Sequence, residues 1–183
     1  MGETAARGNP GRTRVLVEGA LCVALSVVFS ALKIFSMPQG GSVTLEMAPL
    51  FYFAYRYGFK WGLTAGALSG GFQLIFGGYV AHPVQAFLDY PAAFACMGIA
   101  GLFGQGIKGI ITGTLVASAA RLACHVLSGV IFFASYAPEG TNVWLYSFVY
   151  NATFMAPSVI ISAALALVLW KKFIDRLNTK TTE

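Results

Sequence analysis

The chain has 183 residues and a formal net charge of +5; 57% of its residues are hydrophobic and only 10% are charged. A soluble domain carries roughly 25% charged residues, so this composition and a mean hydropathy of +0.70 exclude an ordinary soluble fold and predict an integral membrane protein. The basic residues do not gather on one stripe, as binding to nucleic acid would require.

Six apolar runs predict an all-α membrane protein with six transmembrane helices. The runs cover residues 15–35, 45–57, 61–76, 84–103, 107–134 and 144–170. A helix needs roughly 20 residues to cross the hydrocarbon, so the short second and third runs can also be interpreted as buried or re-entrant helices. The chain is thereby divided into an N-terminal tail (1–14), a transmembrane domain (15–170) and a C-terminal tail (171–183).

The positive charges predict the orientation of these helices. Ten of the 12 Lys and Arg residues fall in the segments that six crossings place on one side, while the opposite loops 36–44, 77–83 and 135–143 contain none. Because cytoplasmic loops carry the excess of Lys and Arg, both termini are expected in the cytoplasm. The ten residues are Arg7, Arg12, Arg14, Arg56, Lys60, Lys108, Lys171, Lys172, Arg176 and Lys180.

The first predicted helix carries small residues at Gly19, Ala20 and Ala24. A small residue at every fourth position lets two helices approach closely. This motif alone is typical of packing within a protein as well as of a partner-binding face. The three cysteines (Cys22, Cys96, Cys124) lie within apolar runs and are interpreted as small buried hydrophobic residues.

Several polar residues fall inside the predicted helices, where they are costly and are usually paired or functional. At about 1.5 Å of rise per residue, Asp89, His125 and Asn151 lie on three helices at a similar depth near the outer side. Glu18 lies one turn from the cytoplasmic end and is interpreted as an interfacial acid. Arg121 can pair with Glu46 or with Asp89. We favour Glu46 as a structural ion pair, which would leave Asp89 free for a cationic ligand.

Aromatic residues surround these polar positions, namely Tyr79, Tyr90, Phe132, Phe133, Tyr146 and Tyr150. A carboxylate near aromatic faces suits an organic cation, and an amide with an imidazole can orient a heteroaromatic ring through hydrogen bonds. The alternative is that the tyrosines form an interfacial belt and that His125 is a polar contact between helices. Taken together, the residues favour a small-molecule site.

The sequence lacks the motifs that would indicate nucleotide hydrolysis, a metal site or a hydrolytic enzyme. The chain has no Gly-x-x-x-x-Gly-Lys-Ser/Thr phosphate loop, no Cys/His set with metal-ligand spacing, and neither Gly-x-Ser-x-Gly nor His-Glu-x-x-His. We therefore expect no enzyme activity, no metal and no cofactor. A transporter without a motor or an internal repeat needs an energising partner and a face on which that partner docks.

Five segments point to a particular family. They are LVEGA (16–20), SVTLEMAP (42–49), HPVQAFLDYP (82–91), RLACHVLSGVIFFASYAPEG (121–140) and WLYSFVYN (144–151). They resemble the thiamine-specific S component of energy-coupling factor (ECF) transporters, over residues 15–170. The resemblance implies a six-helix protein of the bacterial cell membrane that captures thiamine from outside. Its implied partners are a transmembrane coupling subunit, on which it docks through the first helix, and two cytoplasmic ATPases that use the ATP.

The resemblance also implies roles for individual residues. Asp89 would face the positively charged thiazolium ring of thiamine, and residues 36–42 would form an outer lid. Ala20 and Ala24 would form the docking motif for the coupling subunit. The implied thiamine contacts are Tyr79, Asp89, Tyr90, His125, Gly129, Phe133, Tyr146 and Asn151.

Three other functions are compatible with the same residues. An S component for another vitamin, such as riboflavin or biotin, would share this architecture. An intramembrane enzyme could use Asp89 and His125 as acid and base, and would turn its ligand over. A purely structural membrane subunit would bind no vitamin.

Overall fold

The computed structural model describes residues 11–104 and 106–180, with the side chains of residues 173–180 left out. The described chain is helical apart from one small hairpin, in which β1 (Phe35–Ser36) pairs antiparallel with β2 (Ser42–Val43). The α-helices are α1 (Arg12–Ala31), α2 (Met47–Tyr57), α3 (Phe59–Ile75), α4 (Pro83–Phe87), α5 (Ala93–Ala95), α6 (Ile107–Phe132) and α7 (Val143–Lys180).

The stretch from α4 to residue 102 is one composite helix, because a π-helical segment (Leu88–Ala92) and a 3-10 segment (Cys96–Leu102) directly follow α4 and α5. Pro91 lies inside the π segment. Proline has no N–H to donate to the preceding turn, and wider turns of this kind recur at functional sites. Asp89 and Tyr90 lie in this irregular turn.

Each apolar run predicted from the sequence coincides with a helix, so the all-α prediction is confirmed. Two boundaries differ by four residues or more. Helix α1 ends at Ala31, and Phe35 lies in β1. Helix α7 continues to Lys180, past the predicted end at residue 170, because no Gly or Pro interrupts residues 171–180. Arg7 lies outside the described residues.

The surface of the helices is apolar. Among the described residues, the helices long and apolar enough to cross a membrane, by length and composition, are Arg12–Ala31, Ile107–Phe132 and Val143–Lys172. Helix α1, for example, exposes Leu16, Leu21 and Leu25. Apolar surface on this scale is unstable in water and fits a protein embedded in lipid.

Helix α2 forms the centre of the bundle. It has 11 residues, about 16 Å at 1.5 Å per residue. Phe51, Phe53 and Tyr55 are among the largest fully buried side chains of the described structure. The helix contacts α1, α3, α7 and the 3-10 segment, so protein rather than lipid surrounds it.

Glycines on α3 bring the composite helix close. Gly62, Gly66 and Gly70 are buried at every fourth position. A Cβ atom on Gly66 would overlap the carbonyl oxygen of Phe94, and one on Gly70 would overlap that of Tyr90. This seam fixes the π segment, and with it Asp89, against α3.

The two ends of the bundle differ. The hairpin end holds β1, β2 and the connections 76–82 and 133–142. The turn end holds the tight connection between α2 and α3 at Gly58, whose φ of +87° favours glycine.

Candidate ligand-binding site

A cavity of about 660 Å³ lies at the hairpin end. Ligand pockets of proteins commonly have volumes of roughly 300–1,000 Å³. The hairpin, the composite helix, α6 and the start of α7 as far as Phe154 all contribute to its walls. All eight residues predicted as ligand contacts line it, namely Tyr79, Asp89, Tyr90, His125, Gly129, Phe133, Tyr146 and Asn151.

Asp89 is the centre of a hydrogen-bond network in this cavity. Its Oδ2 accepts from Gln85 Nε2 at 2.7 Å and from Ser128 Oγ at 2.8 Å. Its Oδ1 lies 3.0 Å from His125 Nδ1. The expectation that Asp89 is free therefore needs correction, because three side chains hold it. Gln85 and Ser128 are neutral, so neither compensates the charge of the carboxylate, and His125 would do so only as an imidazolium.

Arg121 connects this network to a buried ion pair. Its Nη2 donates to Glu46 Oε1 at 2.6 Å, and its Nε donates to His125 Nε2 at 3.3 Å. The side chains of Arg121 and Glu46 are only 6% and 11% exposed. The guanidinium carbon lies 4.0 Å from the ring centroid of Phe94, a cation–π distance. Arg121 thus reaches Asp89 through His125 and pairs directly with Glu46.

Tyrosines of α7 hold the hairpin loop over the cavity. The Tyr150 hydroxyl donates to the Gly40 carbonyl and accepts from the Gln39 N–H, both at 2.9 Å. The Tyr146 hydroxyl donates to Gln39 Oε1 at 2.9 Å. Gly40 and Gly41 have φ values of +93° and +83°, which only glycine adopts without strain. The loop is therefore shaped by glycines and latched by two phenol groups.

Aromatic rings line the opposite side of the cavity. The ring centroids of Tyr79 and Phe133 are 6.2 Å apart, and Phe133 stacks on Tyr136 at 6.0 Å. The Tyr90 hydroxyl accepts from the Tyr79 N–H at 2.8 Å. That bond fixes the connection between α3 and α4 beside the aromatic rings.

Gly129 brings α6 and α7 together below these rings. A Cβ atom there would overlap Ser147 Oγ. Asn151 Nδ2 donates to the Ser147 carbonyl at 2.8 Å. The amide of Asn151 is therefore fixed by its own helix, next to the close approach of α6.

The ligand contacts predicted from the sequence leave out four residues that shape the site. Gln85 and Ser128 hold Asp89, while Gln39 and Tyr150 close the hairpin loop. A signal existed for the first: Gln85 lies four residues before Asp89 and so shares its helical face. Tyr150 is 111 residues from Gln39 in sequence, and no local pattern predicts that contact.

The residues predicted for partner docking lie elsewhere. Ala20 and Ala24 are exposed on α1 and line an apolar groove of about 680 Å³ between α1 and α3. Gly19 also lines this groove and packs against α2, since a Cβ atom there would lie 2.9 Å from the Phe53 ring. The two alanines belong to the surface of α1, and Gly19 belongs to its packing.

Fold and site together define a class of protein. An apolar helical bundle holds a cavity that contains the largely enclosed carboxylate of Asp89 and a wall of aromatic rings. Such a cavity favours a small organic cation, because ring faces and carboxylates both attract positive charge. The class is a membrane-embedded binding protein for a small cationic molecule.

Comparison with known proteins gives the family. The model of the thiamine transporter protein family matches residues 16–178. The thiamine transporter ThiT of Bacillus subtilis (strain 168) is 42% identical over 171 residues, which are 85% of this chain and 89% of the relative. The thiamine transporter ThiT of Lacticaseibacillus paracasei is 28% identical over 172 residues, 85% of this chain and 84% of the relative. This chain belongs to the thiamine transporter protein family.

Solved structures share the fold. ThiT from Listeria monocytogenes superimposes with a TM-score of 0.79 at 27% identity, over 88% of this chain and 95% of that chain. The S component of a bacterial ECF transporter superimposes with a TM-score of 0.64 over 91% of this chain and 98% of that chain. At 13% identity, the second match concerns the fold alone.

Proposed function

We propose that this protein captures thiamine at the outer face of a bacterial cell membrane and acts as the S component of an ATP-driven ECF vitamin transporter. The observation that carries the proposal is the largely enclosed Asp89 carboxylate of the cavity, which accepts hydrogen bonds from the neutral side chains of Gln85 and Ser128. Thiamine carries one fixed positive charge on its thiazolium ring. Membership of the thiamine transporter family makes thiamine the cation of choice.

The cavity offers complementary places for the two rings of thiamine. The thiazolium ring would lie near Asp89, against the faces of Tyr79 and Phe133. The aminopyrimidine ring would be oriented by the polar end of the cavity, where Tyr146 and Asn151 lie. Gly129 lets α6 and α7 approach each other closely there, because a side chain would collide with Ser147.

The proposed topology has six spans, with both termini in the cytoplasm and the hairpin end outside. The turn end carries Arg14, Arg56 and Lys60, while the connections 77–82 and 133–142 at the hairpin end contain no Lys or Arg. The positive-inside rule then assigns the turn end to the cytoplasm. The cavity would accordingly be reached from outside.

The proposed delivery step needs partners. The coupling subunit would dock on the α1 groove at Ala20 and Ala24, where small side chains permit close helix packing. Two partner ATPases would supply the energy, and this chain would need no cofactor and perform no catalysis. The hairpin loop would close over bound thiamine, and movement of the partner would then turn the site toward the cytoplasm.

A binding panel tests this function. Purified protein is titrated with thiamine, riboflavin and biotin, and what co-purifies with it is identified by mass spectrometry. We expect thiamine alone to bind, at one molecule per chain and without chemical change. Binding of another vitamin would indicate a different S component, and a chemically altered ligand would indicate an enzyme.

Uptake in cells tests the transport role. A strain that cannot make thiamine, and that lacks its own uptake, is supplied with this chain together with an ECF module. We expect growth at low thiamine only when the module is present. Growth with this chain alone would contradict the need for a partner.

A further inference from the structure

Both ring nitrogens of His125 are occupied within the protein. Arg121 Nε donates to Nε2 at 3.3 Å, and a guanidinium has donors only. Nε2 must therefore present a lone pair. Nδ1, which lies 3.0 Å from Asp89 Oδ1, then carries the single proton of the neutral ring and donates it to the carboxylate.

We propose that Arg121, held by Glu46, fixes His125 as the neutral Nδ1–H tautomer and thereby keeps Asp89 as an uncompensated anion. His125 is then also a positioning residue, which acts on the ligand through Asp89. The identity of the ligand rests on the proposed function, whereas the tautomer does not.

The alternative protonation state conflicts with the geometry. A positively charged imidazolium would carry a proton on Nε2 that points at the N–H of Arg121, so two donors and two positive charges would meet in a largely buried site. It would also neutralise Asp89. The guanidinium cannot withdraw easily, because Glu46 binds its Nη2 and Phe94 packs against its face. Phe154, edge-on to the imidazole at 6.2 Å, supplies no charge.

The net charge of these buried residues determines the charge of the ligand that the site prefers. Glu46 and Arg121 cancel each other, and Asp89 receives neutral donors from His125, Ser128 and Gln85. Lys33 also lines the cavity but is exposed, where solvent screens its charge. The buried part of the site thus has one surplus negative charge. That charge matches one cationic ring, so the Glu46–Arg121–His125 chain determines specificity for a monocation.

Nitrogen NMR of the ligand-free protein tests the tautomer. The chain has two histidines, so His82→Asn leaves His125 as the only one in protein labelled with ¹⁵N-histidine. His82 accepts from the Val84 N–H at the start of α4, and asparagine is a suitable replacement there because it is a strong N-cap. We expect a protonated Nδ1 and an unprotonated Nε2 near neutral pH. A protonated Nε2, alone or in an imidazolium, would overturn the proposal.

A double variant tests whether Arg121 sets the tautomer. Arg121→Met with Glu46→Gln removes the donor and its counter-charge together, so no buried charge is left unpaired. We expect Nε2 to become protonated in a substantial fraction of the molecules. An unchanged tautomer would show that Arg121 has a merely structural role, against the proposal. Glu18→Gln at the turn end is the matched control and should leave the His125 signals unchanged.

These measurements are made without thiamine, so they separate the two proposals. A protein with the expected tautomer that binds no thiamine would refute the proposed function alone. A protein that binds thiamine with Nε2 protonated would refute this inference alone. If the double variant fails to fold, the His82→Asn measurement still decides the tautomer.

Discussion

The two ends of the bundle each hold a cluster of acids, arginines and aromatic side chains, and the clusters have opposite charge balance. In the turn-end cluster, two arginines form ion pairs with one acid. Arg14 Nε lies 2.9 Å from Glu18 Oε1, and Arg56 Nε lies 3.0 Å from Glu18 Oε2. The Tyr57 hydroxyl also donates to Glu18 at 2.7 Å. In the cavity cluster there are two acids, Glu46 and Asp89, and one arginine, Arg121, which pairs with Glu46.

This difference in charge balance indicates which of the two clusters can bind a cation. Glu18 is already compensated, and its partner Arg14 is 62% exposed, so solvent screens the pair. Asp89 has donors but no cation, and its side chain is only 17% exposed. Because charge interactions strengthen as the surroundings become less polar, the cavity cluster attracts a cation and the turn-end cluster holds the fold.

The largest expected effect comes from Asp89→Asn, which keeps the shape of the side chain and removes its charge. Losing one partner of a buried charge interaction costs about 2–5 kcal/mol, so thiamine affinity should fall at least about 30-fold. Titration calorimetry measures the loss. Glu18→Gln is the matched control, with affinity close to that of the wild type. An equal loss of thiamine affinity in both variants would contradict the proposed difference between the two clusters.

Glu46→Gln should have the next largest effect, on stability. It leaves the Arg121 charge buried without its partner, which costs about 3–5 kcal/mol. The melting temperature in detergent, followed by tryptophan fluorescence, should drop clearly. Glu18→Gln should cost about 1 kcal/mol or less, because that site is partly exposed. Adding Arg121→Met to Glu46→Gln should restore much of the lost stability, and failure to do so would contradict the ion-pair account.

Tyr150→Phe should have a moderate effect on the rate of thiamine release. The change removes both hydrogen bonds between this hydroxyl and the hairpin loop. At about 0.5–1.5 kcal/mol for each bond, dissociation should accelerate roughly fivefold to 150-fold, while association changes little. Stopped-flow fluorescence measures both rates. An unchanged dissociation rate would exclude the loop as a latch.

The smallest effect on thiamine affinity is expected from a substitution in the α1 groove. Ala24→Trp places a large side chain in the groove, and Ala24 does not line the cavity, so thiamine binding should be unaltered while uptake with the ECF module is lost. Leu25→Trp is the control, because Leu25 is exposed on α1 outside the residues that line the groove. Equal uptake by the two variants would contradict docking at Ala24.

The sequence predicted which residues line the cavity better than it predicted the contacts between them. Asp89, His125 and Asn151 could be grouped because each is a polar residue in an apolar helix, and helix rise places them at one depth. The link from Arg121 to His125 joins residues four apart on α6. This spacing places both on one face of the helix, but it does not by itself predict the tautomer of His125.

The remaining features depend on contacts over long sequence distances. The latch joins Tyr150 to a loop 110 residues away, and tyrosines near helix ends are equally typical of an interfacial belt. The burial of α2 results from its neighbours, since its apolar run of residues 45–57 resembles that of a short span. Pro91 indicated a break in the composite helix but not its π-helical form.

The central claim, that one surplus buried negative charge selects the ligand, is tested most directly by comparing thiamine with an uncharged analogue of the same shape. Both are titrated into the wild type and into Asp89→Asn. We predict that the wild type binds thiamine at least about tenfold more tightly than the analogue, a difference of about 1.4 kcal/mol, and that Asp89→Asn loses this preference. Equal affinities in the wild type, or a preference that survives in Asp89→Asn, would contradict the account.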